Sequence, residues 1–362
     1  MAQFPLTPGW LYFLREKDYR TLEFSSYVKV GIVRASDAER FDRGVEDRIK
    51  EHQTGNPRTL VSHAHVRSHM VERVETLMHR HLAVHRIEGE WFDFSETQQL
   101  NDAIDLARSF ALEAEQSVGD FEQAELLAKQ LSIDPSFDPP AEILEVHKRL
   151  SILKAALTFC DAADRRKHRA LNELGGQALG VVRQVERKVA KFDLEGFAAE
   201  FPDIIAEFTK PHTSISQRFS LATSQDAGIK AWVQQEARDV WDECARGPLI
   251  VLDAAENGDV TGAELNRAWH PVTAWQATTQ WEIQRLEAAV KRACGLAQGI
   301  TGVCDWRRVE KTVDKLDKAA MRKAHKQEYE KHTTTTVVVA IEQLHRQAQG
   351  DGNVADDSDE DE

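Results

Sequence analysis

The stretch "GWLYFLREKDYRTLEFSSYVKVGIV", residues 9–33, decides the fold of the first part of this 362-residue chain. Two runs rich in aromatic and β-branched residues, 10–14 and 27–33, flank a polar segment, which is the pattern of two strands joined by a hairpin. The first run carries Tyr12, and the second carries Lys29 and Gly31. Pairing of the two strands would bring these three residues side by side.

Four more elements are predicted before residue 95. Hydrophobic periodicity predicts a helix near 40–52, a strand over 59–66, a helix over 69–85 and a last extended segment, "EWFDF", at 90–94. We therefore expect an α+β protein with a small three-stranded sheet and its helices at the N-terminus. A larger, mostly α-helical region is expected to follow.

The remainder of the chain is interpreted as helical. Apolar residues recur at steps of three and four over 143–160 and over 179–192, which is the spacing of a buried helix face. We predict a sheet-containing domain at 1–95, a helical domain at 96–210 and a second helical domain at 211–350. The last twelve residues, 351–362, contain seven acids and no base, so this acidic tail is predicted to be disordered.

Composition and charge narrow the functional classes. No apolar run reaches the roughly 18 residues that a membrane span needs, and the start lacks the features of a signal peptide, so we expect a cytoplasmic protein without a membrane partner. Four cysteines without a CxxC pair favour reduced thiols over a disulfide framework or a zinc site. With a net charge of −14, any contact with nucleic acid must be confined to a basic patch.

Five short motifs occur in a characteristic order along residues 9–95: Gly9-Trp10-Leu11-Tyr12, Lys29-Val30-Gly31, Arg48 in "EDRIKEHQTGNPR", Glu75 in "VERVETLMHRHL", and Glu90-Trp91-Phe92. Together they resemble the GIY-YIG nuclease domain. The similarity is greatest to the branch found in phage open reading frames and fungal meiotic genes, in which lysine replaces the second tyrosine as "KIG".

The resemblance implies a metal-dependent endonuclease that hydrolyses DNA phosphodiester bonds, in phage or bacterial defence or in DNA processing. It implies that Tyr12 orients or deprotonates the attacking water and that Lys29 lowers the pKa of this phenol or contacts the phosphate. Arg48 would clamp the phosphate through its planar fork of donors. Glu75 would hold one divalent ion, Mg²⁺ or Mn²⁺, which acts as a Lewis acid.

Some alternatives stay open at this stage. Glu72 lies one turn from Glu75 and is a second candidate for the metal ligand. The interval between Tyr12 and Lys29 is longer than the usual hairpin, and residues 34–46 resemble an insertion. The alternative function is therefore a catalytically inactive, nuclease-derived DNA-binding or scaffold protein, and RNA is an alternative substrate.

A basic stripe is predicted near the end of the chain. Its members recur at steps of three and four, which would place them on one side of a helix: Arg308, Lys311, Lys315, Lys318, Arg322 and Lys326. We interpret the stripe as a DNA-binding surface, with a solvated helix face as the alternative. The helical region is expected to position DNA, to form a homo-oligomer, or both.

The segment "DAAENGDVTGAEL", residues 253–265, has the spacing of a calcium-binding loop. Ala255 stands where the third position of such a loop needs an oxygen ligand. We therefore favour a joint between two helices that turns at Asn257-Gly258.

Overall fold

The computed structural model describes residues 6–35, 44–54, 56–174 and 182–343. The protein is α+β, with 57% helix and 26% strand, and an N-terminal antiparallel sheet precedes a larger helical region. The predicted fold class is confirmed. The acidic tail predicted at 351–362 lies outside the described residues.

The N-terminal sheet has five strands in the order β3-β1-β2-β5-β4, all antiparallel to their neighbours. The strands are β1 (Gly9–Lys17), β2 (Phe24–Arg34), β3 (Thr59–Ser68), β4 (Arg86–Glu88) and β5 (Trp91–Asp93). The predicted sheet has three strands, and the structure contains two more short strands, β4 and β5. Gly89, with a φ of 53°, lets the chain turn back between β4 and β5.

Two helices cover opposite faces of this sheet: α1 (Val45–Gln53) and α2 (Val71–His81), the latter followed by a 3₁₀ turn (Leu82–His85). Val45 of α1 packs with Tyr12, Leu14 and Val33. The alternate strand positions pack against α2, since side chains of a strand alternate between its faces: Leu11, Phe13, Val28 and Val30. The sheet and these helices, residues 9–95, are called the sheet domain below.

In the described residues beyond the sheet domain, eight more helices follow: α3 (Thr97–Ala128), α4 (Ala141–Glu173), α5 (Leu194–Glu200), α6 (Pro202–Phe208), α7 (Ala227–Glu256), α8 (Gly262–Cys294), α9 (Lys318–Ala324) and α10 (Lys326–Lys331). The four long ones, α3, α4, α7 and α8, pack together as a bundle. The helix predicted over 143–160 lies within α4, where Leu150, Leu153 and Cys160 are buried.

The sheet domain and the bundle share one hydrophobic core. Phe110 of α3 and Trp281 of α8 belong to the same buried cluster as the inner sheet face and α2. Nη2 of Arg73, on α2, donates to the side-chain oxygen of Gln284 on α8 at 2.6 Å. The bundle therefore completes the core of the sheet domain.

Five further strands interrupt the region predicted to be helical: β6 (Val182–Phe192), β7 (Thr209–Leu221), β8 (Gly299–Ile300), β9 (Cys304–Leu316) and β10 (Thr333–Gln343). β6 pairs with β10, and β7 pairs with β9 along 13 residues of each strand. The helix predicted over 179–192 was wrong from residue 182 onward. Its β-branched valines suit a strand, and its partner lies far along the chain, where local periodicity gives no signal.

The predicted division between helical domains at residues 210 and 211 falls inside β7. Helices from both sides of that point share hydrophobic clusters, since α4 packs with α7 and α8. The long helices thus form one bundle from two separated stretches of sequence.

The basic stripe does not lie on one helix, which corrects the prediction. Arg308, Lys311 and Lys315 lie on β9, Lys318 and Arg322 lie on α9, and Lys326 begins α10. In "CDWRRVEKTVDKL" the buried residues at the start alternate, and this period of two decides the strand.

Arg308 is buried and holds three segments together. Its Nη1 donates to the carbonyl of Leu127 at 2.8 Å, and its Nη2 donates to the carbonyl of Gly295 at 2.6 Å. Its Nε donates to the hydroxyl of Ser132 at 3.1 Å. The guanidinium also stacks 4.0 Å from the ring centroid of Trp306. Arg308 therefore joins β9 to the ends of α3 and α8. Because its side chain is buried, it is not available to contact DNA.

We expect Arg308→Ala to lower the free energy of unfolding by about 3–5 kcal/mol, because several charged hydrogen bonds are lost and buried carbonyls stay unpaired. Urea unfolding followed by circular dichroism measures this. Lys311→Ala, an exposed change on the same strand, is the control and should alter stability by less than about 0.5 kcal/mol. Equal stability of the two variants would contradict the structural role of Arg308.

The joint between α7 and α8 is the helix-turn-helix that the sequence favours. Gly258 has a φ of 80°, and Thr261 with Glu264 forms a capping box at the start of α8. The Asp253 carboxylate accepts a hydrogen bond from Arg166 at 2.7 Å. Both carboxylates at the ends of the loop-like motif are therefore engaged in local structure.

None of the helices in the described parts of the chain is long and apolar enough to cross a membrane.

Candidate active site

Tyr12 and Gly31 lie directly opposite each other on β1 and β2. Tyr12 is buried on the sheet face that α1 covers. A Cβ atom at position 31 would lie 2.6 Å from the Tyr12 Oη and 2.8 Å from its Cζ. Position 31 must therefore lack a side chain, which explains the glycine of the second motif.

Arg48 and His52 lie four residues apart on α1 and share the side of this helix that faces Tyr12. The Tyr12 hydroxyl and Nε2 of His52 share a hydrogen bond of 3.2 Å. The Arg48 guanidinium interacts electrostatically with the same hydroxyl, and its Nη1 donates to Glu51 at 2.5 Å. Its Nε is buried and has no hydrogen-bond partner among the described residues. One donor of this guanidinium is thus unsatisfied beside the phenol.

Lys29 forms one wall of a cleft next to these residues. Its Nζ donates to the Glu90 carboxylate at 2.7 Å and lies 5.9 Å from the ring centroid of Trp91. The cleft has a volume of about 500 Å³, and Lys29, Arg48 and His52 line it together with residues 88–91. Two cations therefore face one opening.

Glu75 belongs to a side of α2 that lies along the outer edge of β2. Glu72, Glu75 and His79 recur at steps of three and four and so share this side of the helix. Glu72 accepts a hydrogen bond from Nε of Arg34 at 2.5 Å. Nε2 of His79 donates to the carbonyl of Val30 at 3.0 Å. The contacts of Glu72 and His79 hold this side of α2 against β2, and Glu75 lies between these two residues on the helix.

Glu75 lies on α2, which packs on the sheet face opposite to α1, and it is not among the residues that line the cleft. The pairing of β5 with β2 ends at Lys29, and the Val30 amide next to it donates to the carbonyl of Glu90 at 3.0 Å. Electrostatic interactions link Glu75 to Glu90, Lys29 and Tyr12. The structure therefore groups Lys29, Arg48 and His52 around the cleft and places Tyr12 against His52. Glu75 is linked to Lys29 and Tyr12 through electrostatic interactions.

Burial sets the protonation of these groups. Burial, and then the negative charge of Glu90, raises the pKa of the Glu75 carboxyl to about 7. The same two causes raise the pKa of the Tyr12 phenol above its ordinary value. The predicted lowering of this pKa by Lys29 is not found, because the Lys29 ammonium is paired with Glu90. Burial, followed by the charges of Lys29 and Arg48, lowers the pKa of His52, so its imidazole is neutral at pH 7.

The residues at Glu75 fit a magnesium ion held by few protein ligands. Mg²⁺ is usually bound by one or two carboxylates, with waters and substrate phosphates completing its shell. The raised pKa of Glu75 reports a carboxylate whose charge is poorly compensated, and a cation would compensate it. In the described ranges no group of three or more His, Cys, Asp or Glu side chains is placed to hold a metal, so a site built from protein ligands alone is not formed there.

The sequence analysis does not single out His52, which shares a hydrogen bond with the Tyr12 hydroxyl. A signal for it exists, since four residues separate it from Arg48 in a predicted helix. Glu90 appears in the sequence only as part of a motif. In the structure it orients the Lys29 ammonium and raises the pKa values of its neighbours.

We expect Gly31→Ala to lower the free energy of unfolding by about 1–3 kcal/mol, because the new methyl group must displace the Tyr12 ring. Urea denaturation measures the loss. The matched control is Gly119→Ala in α3, where a Cβ atom meets no atom within 4 Å. This change should raise stability by up to about 1 kcal/mol, as alanine favours helices over glycine. A Gly31→Ala variant as stable as the wild type would contradict the tight Tyr12 packing.

Residues 9–108 match the model of one family, the T5orf172 domain, which falls in the GIY-YIG-related group. The match covers the sheet domain and ends inside α3. It supports a nuclease-like or DNA-binding role. No curated protein and no solved structure matches the chain.

Proposed function

We propose that this protein is a metal-dependent endonuclease that hydrolyses DNA phosphodiester bonds. The observation that supports the proposal is the grouping of Lys29, Arg48 and His52 around one cleft, with the Tyr12 hydroxyl bonded to His52 and the Glu75 carboxyl in electrostatic contact with Lys29 and Tyr12. The family match of the sheet domain supports it. Lys29 in place of a second tyrosine is the feature by which we assign the chain to the lysine-containing branch of GIY-YIG nucleases.

The proton of the attacking water leaves through Tyr12 and His52. Because the pKa of the phenol is raised, Tyr12 stays protonated and cannot act as a preformed phenolate. Its hydroxyl takes the water proton as its own proton passes to the neutral Nε2 of His52, 3.2 Å away. The hydroxide that results attacks phosphorus, and the bond to the leaving oxygen breaks.

Arg48 and Lys29 stabilise the negative charge that gathers on the phosphate. Arg48 lines the cleft, and a planar guanidinium matches two phosphate oxygens. Lys29 is held in place by Glu90 and contributes a positive charge at the opening. Preorganised donors of this kind are typically the largest contribution to catalysis.

Glu75 is the residue that would hold Mg²⁺ or Mn²⁺. When bound, the ion supplies Lewis-acid stabilisation of the phosphate and of the leaving oxygen. Glu72 is less suited to this role, because its carboxylate is paired with Arg34.

Supercoiled plasmid incubated with the purified full-length protein tests the proposal. We expect nicked and linear DNA with Mg²⁺ and neither product in EDTA. A matched RNA substrate should be cleaved much more slowly. Plasmid binding without nicking in Mg²⁺ would overturn the proposal and favour the inactive DNA-binding or scaffold protein.

The role of His52 predicts an acid limit to activity. The pKa of His52 lies below the ordinary 6.5, so at pH 6.5 and above the imidazole is neutral and can accept a proton. As the pH falls below this pKa, the imidazole becomes protonated and loses this capacity. We expect nicking rates to decline as the pH falls, because Glu75, with a pKa of about 7, and then His52, with a pKa below 6.5, become protonated. His52→Ala should slow nicking about tenfold to a hundredfold and leave only the part of the acid decline that protonation of Glu75 causes. His63→Ala, on β3, is the control and should leave the profile unchanged.

A further inference from the structure

The strands β7 and β9 form a long ribbon, to which the two residues of β8 are added at the bundle end, and its charges are divided between two faces. Residues paired across the ribbon share a face, since directly opposite side chains of an antiparallel pair point the same way. One face carries Trp306 and Phe219, which pack against the bundle, and beyond them Glu310 and Asp314. The other face is turned away from the bundle, because its residues are exposed where Trp306 and Arg308 are buried.

This outward face is strongly basic. Five cations and one histidine lie on it: Lys210, His212, Arg218, Arg307, Lys311 and Lys315. No acid occurs on this face between the pair Lys210–Lys315 and the pair Arg218–Arg307, and Asp305 follows only toward the bundle end. In this part of the described chain, none of the five cations forms an ion pair with an acid.

Cations directly oppose each other at both ends of the face. Lys210 pairs with Lys315, and Arg218 pairs with Arg307. Like charges at directly opposite positions destabilise a sheet, as their Cβ atoms lie only about 5 Å apart. A polyanion placed along the face would remove both repulsions.

We propose that the outward face of the β7–β9 ribbon binds double-stranded DNA in its major groove. A B-form major groove is about 12 Å wide and admits a two-stranded β-ribbon. The cations extend over eight residue steps, about 27 Å of strand, which matches most of one duplex turn. Val309 and Val313 lie between them and are exposed. This site is separate from the cleavage site, so its test requires no cleavage.

Three neutralising changes, Lys210→Gln, Lys311→Gln and Lys315→Gln, combined in the full-length protein, test the proposal. Fluorescence anisotropy with a labelled DNA duplex in EDTA gives the dissociation constant over a series of NaCl concentrations. Each phosphate contact contributes about 0.9 to the slope of log K against log salt. We expect the slope to fall by about two to three and the affinity at low salt to fall more than tenfold.

The control carries the same change in net charge elsewhere: Lys129→Gln, Lys230→Gln and Arg246→Gln, all exposed residues of the bundle region. This variant should keep a slope near that of the wild type. A wild-type slope in the ribbon variant, or an equal loss in the control, would overturn the proposal. So would an equal loss on an RNA duplex, since the major groove of A-form RNA is too deep and narrow for a ribbon.

Thermal unfolding checks that the ribbon variant is folded, and its midpoint should not fall, because one repulsion has been removed. If it does fall, the pair Arg218→Gln and Arg307→Gln carries the same test, with an expected decrease of about two in the slope. Plasmid nicking distinguishes this proposal from the endonuclease. If the wild-type protein fails to nick plasmid but the ribbon variant shows the smaller salt slope, the ribbon site is supported and the endonuclease proposal is rejected. If the wild-type protein nicks plasmid but the ribbon variant keeps the wild-type salt slope, the endonuclease proposal is supported and the ribbon site is rejected.

Discussion

Glu75→Gln is expected to reduce Mg²⁺-dependent nicking of plasmid by at least about a hundredfold, since a bound metal contributes several kcal/mol of transition-state stabilisation. The amide keeps the size of the side chain but removes the charge that holds the ion. DNA binding in EDTA should be unchanged, as phosphate contacts elsewhere persist. Gel separation of supercoiled and nicked plasmid over time gives the rate, and anisotropy gives the affinity.

Glu72→Gln is the matched control for this variant. Glu72 lies one turn earlier on the same side of α2, but its carboxylate pairs with Arg34 at the exposed sheet edge. Such surface pairs contribute about 0–1 kcal/mol, so we expect a nicking rate within severalfold of the wild type. If Glu72→Gln were inactive and Glu75→Gln were active, the metal ligand would have to be reassigned from Glu75 to Glu72.

Arg48→Ala should slow nicking about a hundredfold, which corresponds to about 3 kcal/mol of lost transition-state stabilisation. The reason is geometric as well as electrostatic, because the Arg48 side chain lines the cleft and interacts electrostatically with the Tyr12 hydroxyl. Single-turnover nicking with saturating protein isolates the chemical step from binding.

Two companions sharpen the test of Arg48. Arg48→Lys keeps the positive charge but not the planar fork, and it should recover only part of the lost rate. Lys50→Ala removes an exposed cation of the same helix that pairs with Asp47, and its rate should stay near that of the wild type. Full activity in Arg48→Ala would exclude the phosphate clamp.

The sheet domain was predictable because its signals are local. Strands β1, β2 and β3 follow from alternating aromatic and β-branched residues between turns, and α4 follows from its single buried face. The ribbons were not predictable in this way. β6 pairs with β10 and β7 with β9 across long separations, and "VRQVERKVAKF" has apolar steps of three that also suit a helix. Pairing with a distant strand decided between the two.

The site divides in a similar way. Family order points to Tyr12, Lys29, Arg48 and Glu75, and the structure places Lys29 and Arg48 on one cleft with Tyr12 beside His52. Their protonation was not predictable, because the pKa of Tyr12 depends on burial and on the distance of Glu90 rather than on residue type. The mistaken role of Arg308 has the same origin, since a surface cation and a buried one look alike in sequence.

Trp281 places a limit on how this nuclease-like unit can be exchanged between proteins. This indole comes from α8, nearly two hundred positions after β5, yet it belongs to the hydrophobic cluster that supports α2 and with it Glu75. A gene fusion that moved only residues 9–95 would leave that cluster open to water and the helix that carries Glu75 without its backing. Recombination can therefore preserve the cleft only when it transfers the sheet together with α3 and α8, so the inheritable module is the whole assembly and not the motif-bearing segment.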